Sequence, residues 1–212
     1  AGMRGILGAG TNRMNIYTIR KANVGFAKYV LGLPEGKERG VAIGYDNRHM
    51  SYKFAIESAK VLATYGIKSY IFESLRPTPE LSFAVRYLKC AGGIMITASH
   101  NPKEYNGYKA YWNDGAQMIS PHDKNTIAEV NKIRSVEDIK FKGNPNLIEI
   151  IGEEIDKLFL ERIKTLSLSP EAIERHKDMK IVYTPIHGTG VKLIPAVLKE
   201  YGFSNIIHVP EQ

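Results

Sequence analysis

Two hydrophobic rhythms alternate along the chain. Val41–Tyr45 is a short apolar run that predicts a strand. Behind it, Ser51 as N-cap precedes Phe54, Ser58, Val61, Leu62 and Tyr65 at helical spacing, and Gly66 closes that helix. Residues 68–72 predict a second strand. Thr78-Pro79-Glu80 then opens another helix, since proline is tolerated in a first turn whose N–H groups lack intrahelical partners. Residues 93–98 are almost continuously apolar, as expected of a strand covered on both faces in a parallel sheet, and they run directly into Ser99. The rhythm then changes: Asn106-Gly107, residues 108–112, Asn113-Asp114-Gly115 and residues 116–119 read as turns and short antiparallel strands. Ser120-Pro121 caps a helix that carries Ile127, Val130 and Ile133.

Between Ser135 and Pro145 the pattern lapses into charged, Gly- and Pro-containing sequence, which places a domain boundary there. Domains of 1–143 and 144–212 are expected. After the lapse, Ile155, Leu158, Phe159, Ile163 and Leu166 mark an amphipathic helix, and Ser169-Pro170-Glu171 starts a shorter one. Residues 180–184 predict a strand, 191–201 a helix ended by Gly202, and 206–209 the next strand. The fold class is therefore α/β: a mixed, mostly parallel sheet flanked by helices, followed by an incomplete βαβ unit. Two strands lack enough covering layers for a domain, so the polypeptide is read as part of a longer protein.

Composition narrows the class without choosing the chemistry. With 212 residues, 43% hydrophobic and 24% charged, the chain is an ordinary globular sequence, and disorder and collagen are excluded. No apolar run approaches the roughly 20 residues that cross a bilayer, and Ala1-Gly2-Met3-Arg4-Gly5 holds no signal-peptide core. The expectation is no membrane and a cytoplasmic location. The single cysteine, Cys90, lies in an apolar run and is read as a buried thiol. Charge is unevenly placed: residues 1–106 carry 15 basic and 7 acidic side chains, against 14 and 15 in the remainder. That asymmetry suggests an anionic partner, either nucleic acid or a phosphorylated small molecule.

In open α/β sheets, ligands collect beyond the carboxyl ends of the strands. Thr97-Ala98-Ser99-His100-Asn101-Pro102 occupies such a place and offers a hydroxyl, an imidazole, an amide and a proline-stiffened exit, with Lys109 soon after. The same residue types also make ordinary polar turns. A serine hydroxyl needs activation by a base or a positive environment. Adjacent His100 is not automatically that base, and Ser99 lacks the G-x-S-x-G elbow, so acyl transfer is the weaker option. Cations such as Arg4 and Lys109 instead suit a phosphate carried by Ser99. Gly8-Ala9-Gly10 and Gly188-Thr189-Gly190 lack the remaining dinucleotide glycines and support no nicotinamide cofactor. Tyr105, Tyr108, Tyr111 and Trp112 are read as core or cross-strand aromatics rather than base-stacking platforms.

The loop at 97–102, followed by Asn106-Gly107-Tyr108-Lys109, resembles the phosphoserine signature of the α-D-phosphohexomutases, which include phosphoglucomutase and phosphomannomutase. Gly2-Met3-Arg4-Gly5 resembles the end of that family's N-terminal Gly-Thr-x-Gly-x-Arg-Gly motif. Gly44-Tyr45-Asp46-Asn47-Arg48 resembles its Gly-x-Asp-x-Arg strand end, with Asp46 and Arg48 expected to pair or shape a turn. Tyr183-Thr184-Pro185-Ile186-His187-Gly188-Thr189-Gly190 is similar to the opening of the second domain in the phosphoglucomutase branch.

The resemblance implies that Ser99 carries a phosphoryl group, donates it to a hexose monophosphate and recovers the other phosphate from a hexose 1,6-bisphosphate. It also implies Mg²⁺ bound by the phosphate on Ser99, with the other ligands in an Asp-Gly-Asp-x-Asp loop that has no counterpart here. Lys109 is the expected acid/base or hydroxyl-positioning group, Arg4 a phosphate ligand, and His100 a loop-orienting or proton-moving group. The expected partner is a hexose phosphate rather than nucleic acid, although a basic nucleic-acid-binding domain and a serine hydrolase using Ser99 are kept as alternatives. This length of chain alone is expected to be inactive. The sugar-selecting loop that would separate glucose from mannose phosphate has no counterpart here, and nothing in the sequence fixes an oligomeric state.

Overall fold

The computed structural model describes residues 2–210. Through Ile151 the chain builds six strands: β1 (Gly2–Ile6), β2 (Val41–Tyr45), β3 (Ser69–Phe72), β4 (Gly92–Ile96), β5 (Tyr105–Tyr111) and β6 (Ile148–Ile151). Helices α1 (Ile16–Leu31), α2 (Gly36–Arg39), α3 (Ser51–Thr64), α4 (Thr78–Tyr87) and α5 (His122–Asn131) lie between them. The sheet order is β1-β5-β4-β2-β3-β6. The pairs β4/β2, β2/β3 and β3/β6 are parallel, whereas β1/β5 and β5/β4 are antiparallel. Every residue of β2 and β4 is buried, as a sheet with helices on its faces requires.

The core gathers Ile43, Ile71, Ile94 and Ile96 of the sheet with Phe26, Phe54 and Leu62 of α1 and α3. One polar link crosses it: Asn23 Nδ2 donates to Ser58 Oγ at 2.8 Å, and the Tyr108 hydroxyl donates to Asn23 Oδ1 at 3.2 Å. A buried amide with paired donors and acceptor ties α1, α3 and β5 into one register at little desolvation cost. Helix α1 meets α5 so closely that a Cβ on Gly25 would lie 2.3 Å from Val130 Cγ2 and 2.6 Å from its nitrogen. Glycine is required there for space.

The second compact unit begins at Gly152. It holds α6 (Glu153–Lys164), α7 (Pro170–Arg175), β7 (Ile181–Tyr183), α8 (Leu193–Tyr201) and β8 (Ile206–His208). Strands β7 and β8 form a two-stranded parallel sheet. Gly202, at φ 113°, ends α8 in the left-handed region.

The α/β architecture expected from the sequence is the one found, with three corrections of detail. The hydrophobic pattern assigned nothing before Val41, yet that stretch forms β1, α2 and α1, the longest helix. Its buried face includes Asn23 and Gly25, which interrupt an apolar stripe. Asn106-Gly107, read as a turn, lies inside β5, where the Asn106 amide satisfies neighbouring groups through its side chain. Residues 116–119 add only a single bridge, Gln117 to Tyr111, rather than a strand. The lapse at 135–145 holds a short 3₁₀ turn, Val136–Asp138, and little other regular structure, and β6, which follows it, returns to the edge of the first sheet beside β3. The compact units of the chain consequently divide between Ile151 and Gly152.

Candidate functional site

Strand β4 ends at Ile96, and the residues after it carry the candidate chemistry. Thr97 stays anchored to the sheet, its N–H donating to Gly107 O at 3.0 Å. Approach here is tight: a Cβ on Gly107 would stand 2.5 Å from Thr97 O. The chain then turns at Ser99, whose φ of 57° is in the left-handed region that a non-glycine residue adopts at a cost of about 1–2 kcal/mol. The Thr97 hydroxyl supports the turn by accepting the Ser99 N–H at 2.9 Å, and Asn101 N–H donates to Ala98 O at 3.1 Å. The turn leaves Ser99 and His100 exposed to solvent. Ser99 Oγ stands 3.2 Å from His100 Nδ1. Adjacent side chains in an extended strand would diverge, and the left-handed residue is what brings these two together.

A cage of N–H donors holds this loop from below. Arg48, just beyond the end of β2, donates from Nη2 to Ser99 O at 2.9 Å and to Asn101 O. From Nη1 it donates to Pro102 O at 2.9 Å and to Tyr105 O at 3.1 Å. Its Nε lies 3.4 Å from buried Asp46 Oδ2. Asp46 Oδ1 in turn accepts the Arg48 N–H at 3.0 Å and the Ser51 hydroxyl at 2.6 Å. Asn106 Nδ2 donates to the same Ser51 Oγ and to His49 O, both at 2.9 Å. The charge of Arg48 is thus balanced by one carboxylate and its remaining fork spent on main-chain carbonyls, a use suited to a planar guanidinium.

Arg4 and Lys109 approach from the antiparallel side of the sheet. Arg4 lies opposite Gly107 in the β1/β5 pair, and its Nη1 donates to Asn101 Oδ1 at 2.8 Å. Lys109, half-buried on β5, pairs with Met95. A cavity of about 300 Å³ is lined by Gly2, Met3, Arg4, Thr97, Tyr108, Lys109 and Gln117. Two cations therefore face an open hollow beside Thr97, with the Ser99 loop joined to it through the Thr97 hydroxyl and the Arg4–Asn101 bond. The structure brings the four sequence-predicted residues into two adjoining groups: Ser99 with His100 on the loop, and Arg4 with Lys109 in the cavity.

Sequence reasoning gave Arg48 no more than a partner in Asp46. The pair is present, and the arginine also reaches four carbonyls, 51 to 57 positions away in sequence. The signal available was its place at a strand end parallel to β4. Cys90 is fully buried, and burial pushes its thiol up to about 12, which agrees with the reading of an inert core residue.

The geometry defines an α/β domain that presents a serine hydroxyl beyond the carboxyl end of a central strand, with two cations on the neighbouring antiparallel strands. Residues 1–137 match the model of the phosphoglucomutase/phosphomannomutase alpha/beta/alpha domain I, and the chain belongs to the phosphoglucomutase/phosphomannomutase family. It is 39% identical over 211 residues to a phosphoglucomutase of Staphylococcus haemolyticus, covering 97% of this chain and 37% of that protein. It is 38% identical over 225 residues to a probable phosphoribomutase of Schizosaccharomyces pombe, covering 100% of this chain and 37% of the relative. Among solved structures, a putative phosphomannomutase from Thermus thermophilus superposes with a TM-score of 0.80 at 26% identity, over 100% of this chain and 45% of that one. The chain thus spans less than half the length of the relatives it matches.

Proposed function

We propose that the protein containing this chain is a cytoplasmic phosphosugar mutase that interconverts hexose 1-phosphate and hexose 6-phosphate, with Ser99 as its phosphoryl carrier. The observation that carries this reading is the pairing of an exposed serine hydroxyl, on a loop fixed by arginine, with a cavity whose cations are Arg4 and Lys109. In the loading step Ser99 Oγ attacks one phosphorus of a hexose 1,6-bisphosphate. The bond from that phosphorus to the sugar oxygen breaks, and the hydroxyl proton of Ser99 ends on the departing sugar oxygen. The phosphoserine then gives the group to the free hydroxyl, at the other position, of an incoming hexose monophosphate. That oxygen bonds to phosphorus as the Ser99 O–P bond breaks, its proton passes to Ser99 Oγ, and the bisphosphate and the serine are both regenerated.

Arg4 suits the phosphate oxygens through its planar fork, and Lys109 suits the sugar hydroxyl that gains or loses the proton. His100, 3.2 Å from Ser99 Oγ, suits the proton relay or the orientation of the hydroxyl. Mg²⁺, when bound, supplies charge neutralisation on the transferring group. Among the described residues no cluster of three or more His, Cys, Asp or Glu side chains could hold the ion. Ser99 would hold the ion through an oxygen of its phosphate, and further ligands would come from elsewhere in the protein. For that protein we retain domains of 1–143 and 144–212, β6 then being a strand that the connecting segment adds to the first domain's sheet. The domain by itself would be inactive, having only part of the positioning apparatus.

The Ser99–His100 contact is the observation that favours a hydrolase instead. A triad requires a third group to orient the histidine, and the hydrogen-bond partner of His100 among the described residues is Ser99. We assign the excess positive charge to sugar phosphate rather than nucleic acid, because two of the cations face a cavity instead of forming an open stripe. No helix among the described residues is long and apolar enough to cross a membrane.

Incubating the full-length protein with glucose 1,6-bisphosphate and mapping phosphate by peptide mass spectrometry tests the reading. Phosphate is expected on Ser99, and Ser99→Ala should take up none. Phosphate confined to another residue, or uptake undiminished by Ser99→Ala, would overturn the assignment. Labelling of Ser99 by an acyl-serine reagent in place of phosphate would favour the hydrolase.

A further inference from the structure

Arg48 is the most heavily used side chain near Ser99, and the reaction as described gives it no part. It touches no cavity shared with Arg4 and Lys109. Its partners are the carbonyls of Ser99, Asn101, Pro102 and Tyr105 and the carboxylate of Asp46. Four of these five contacts converge on a loop that contains a serine in a left-handed conformation. Such a conformation persists only where the surroundings over-determine it.

We propose that Arg48 is a positioning residue, whose guanidinium gathers the carbonyls of the 99–105 segment and so holds Ser99 in the left-handed turn that directs Oγ outward. The proposal rests on the reading of Ser99 as phosphoryl carrier and adds to it the device that aims the nucleophile. Carbonyls at four successive points of a loop repel one another when they converge, and a cation with a planar fork neutralises that repulsion while fixing their spacing. Asp46 keeps the fork in plane through Nε and is itself held by Ser51 Oγ and the Arg48 N–H. Asn106 closes the chain of contacts from Ser51 to β5, so the turn is referenced to three strands at once: β2, which delivers Asp46 and Arg48, β4, which delivers Ser99, and β5. A lysine at 48 would keep the charge and one or two of the carbonyl contacts, but not the fork.

Two measurements on Arg48→Lys and Arg48→Ala separate this role from mere stability. In the 212-residue chain, amide hydrogen exchange at Ser99, Asn101 and Tyr105 should accelerate while the amides of Val41–Tyr45 keep their protection. An acceleration shared by the whole sheet, or none at all, would overturn the proposal. In the full-length protein, the rate of Ser99 phosphorylation at saturating glucose 1,6-bisphosphate should fall about 100-fold in Arg48→Lys, the size of effect expected when a reacting group is misplaced by about an ångström. The half-saturating concentration should hold. Loading at the unaltered rate, or a loss confined to half-saturation, would make Arg48 respectively dispensable or a substrate ligand, and either overturns it. If the unaltered protein takes no phosphate at Ser99, the proposed function fails while the exchange experiment still decides whether Arg48 holds the turn. Should Arg48→Ala fail to fold, Arg48→Lys carries both measurements.

Discussion

The two compact units of this chain have the same local grammar and different degrees of burial. In the first, β2 and β4 are buried along their whole length, and the cluster around Ile43, Ile94, Phe26 and Phe54 is shielded from water. In the second, β7 and β8 pair in parallel just as regularly, but Val182 is 63% exposed and Ile207 42%. Helix α8 buries Leu193 and leaves Ile194 at 40%. Apolar periodicity reports which element a segment forms, whereas coverage depends on how many layers meet it, and a two-stranded sheet meets few. The serine loop lies in the first unit, at the end of a fully buried strand, where a rigid base can hold a strained turn.

Thiol reactivity gives the largest effect with which to break this comparison. Burial raises the Cys90 thiol from an ordinary 9.0 to about 12, with Arg39 opposing only in part. Three units reduce the thiolate at pH 8 roughly a thousand-fold, so iodoacetamide should label Cys90 far more slowly in the native protein than in urea. The sign follows from the neutral thiol being the favoured form inside. Its contribution to stability is complete below the ordinary value and is lost as pH rises toward and through 12. A cysteine introduced in the second unit at Leu168, which is 96% exposed, should react equally in both conditions. Fast native labelling of Cys90, or protection of Leu168→Cys, would erase the difference between the units.

Core truncations come next. Phe54→Ala removes a fully buried ring from the first unit and should cost about 3–5 kcal/mol. Ile194→Ala, at a position already 40% exposed, should cost under about 1.5 kcal/mol, because much of its apolar area never left water. Amide exchange in α3 and α8, followed through urea, reads each unit by itself. Equal costs would show that the second unit is packed as tightly as the first.

What could be read without coordinates follows the same division between local and long-range causes. Strands β2, β3 and β4 were legible because their residues are apolar in short runs between turn signals, and α3 because its stripe repeats at 3.6. Helix α1 was not, since Asn23 and Gly25 lie on its buried face: one is satisfied by Ser58 and Tyr108, the other is fitted to Val130, and both reasons are tertiary. Ser99, Arg4, Lys109 and His100 were visible as residue types beside a strand end. The left-handed turn at Ser99, which sets the Ser99–His100 distance, was not visible, because nothing local demands it. The carbonyl clamp of Arg48 was equally hidden, since it joins residues more than fifty positions apart that the parallel pairing of β2 with β4 makes neighbours.

The smallest effect concerns how α1 begins, because α2 to α5 of the same unit have no side-chain cap. Helix α1 starts from a capping box: Asn15 Oδ1 accepts the N–H groups of Tyr17 at 3.1 Å and Thr18 at 3.0 Å, and Thr18 Oγ1 accepts the Asn15 N–H at 3.1 Å. Helices α6 and α8 begin at Gly152 and Lys192 with no side-chain cap. Asn15→Ala should therefore cost about 1 kcal/mol, measured as a shift of the urea midpoint for α1 amide exchange, with α6 and α8 unaffected. Asn15 Nδ2 also donates to Gly8 O and Gly10 O at 2.9 Å, gathering the loop ahead of the helix. Asn15→Asp keeps the accepting oxygen and loses those donors, so it should preserve α1 while amides of residues 8–13 exchange faster. If Asn15→Asp instead weakens α1 as much as Asn15→Ala does, the helix depends on the gathered loop more than on its cap, because the orphan N–H groups of the first turn would then be satisfied only when the loop delivers Asn15 to them.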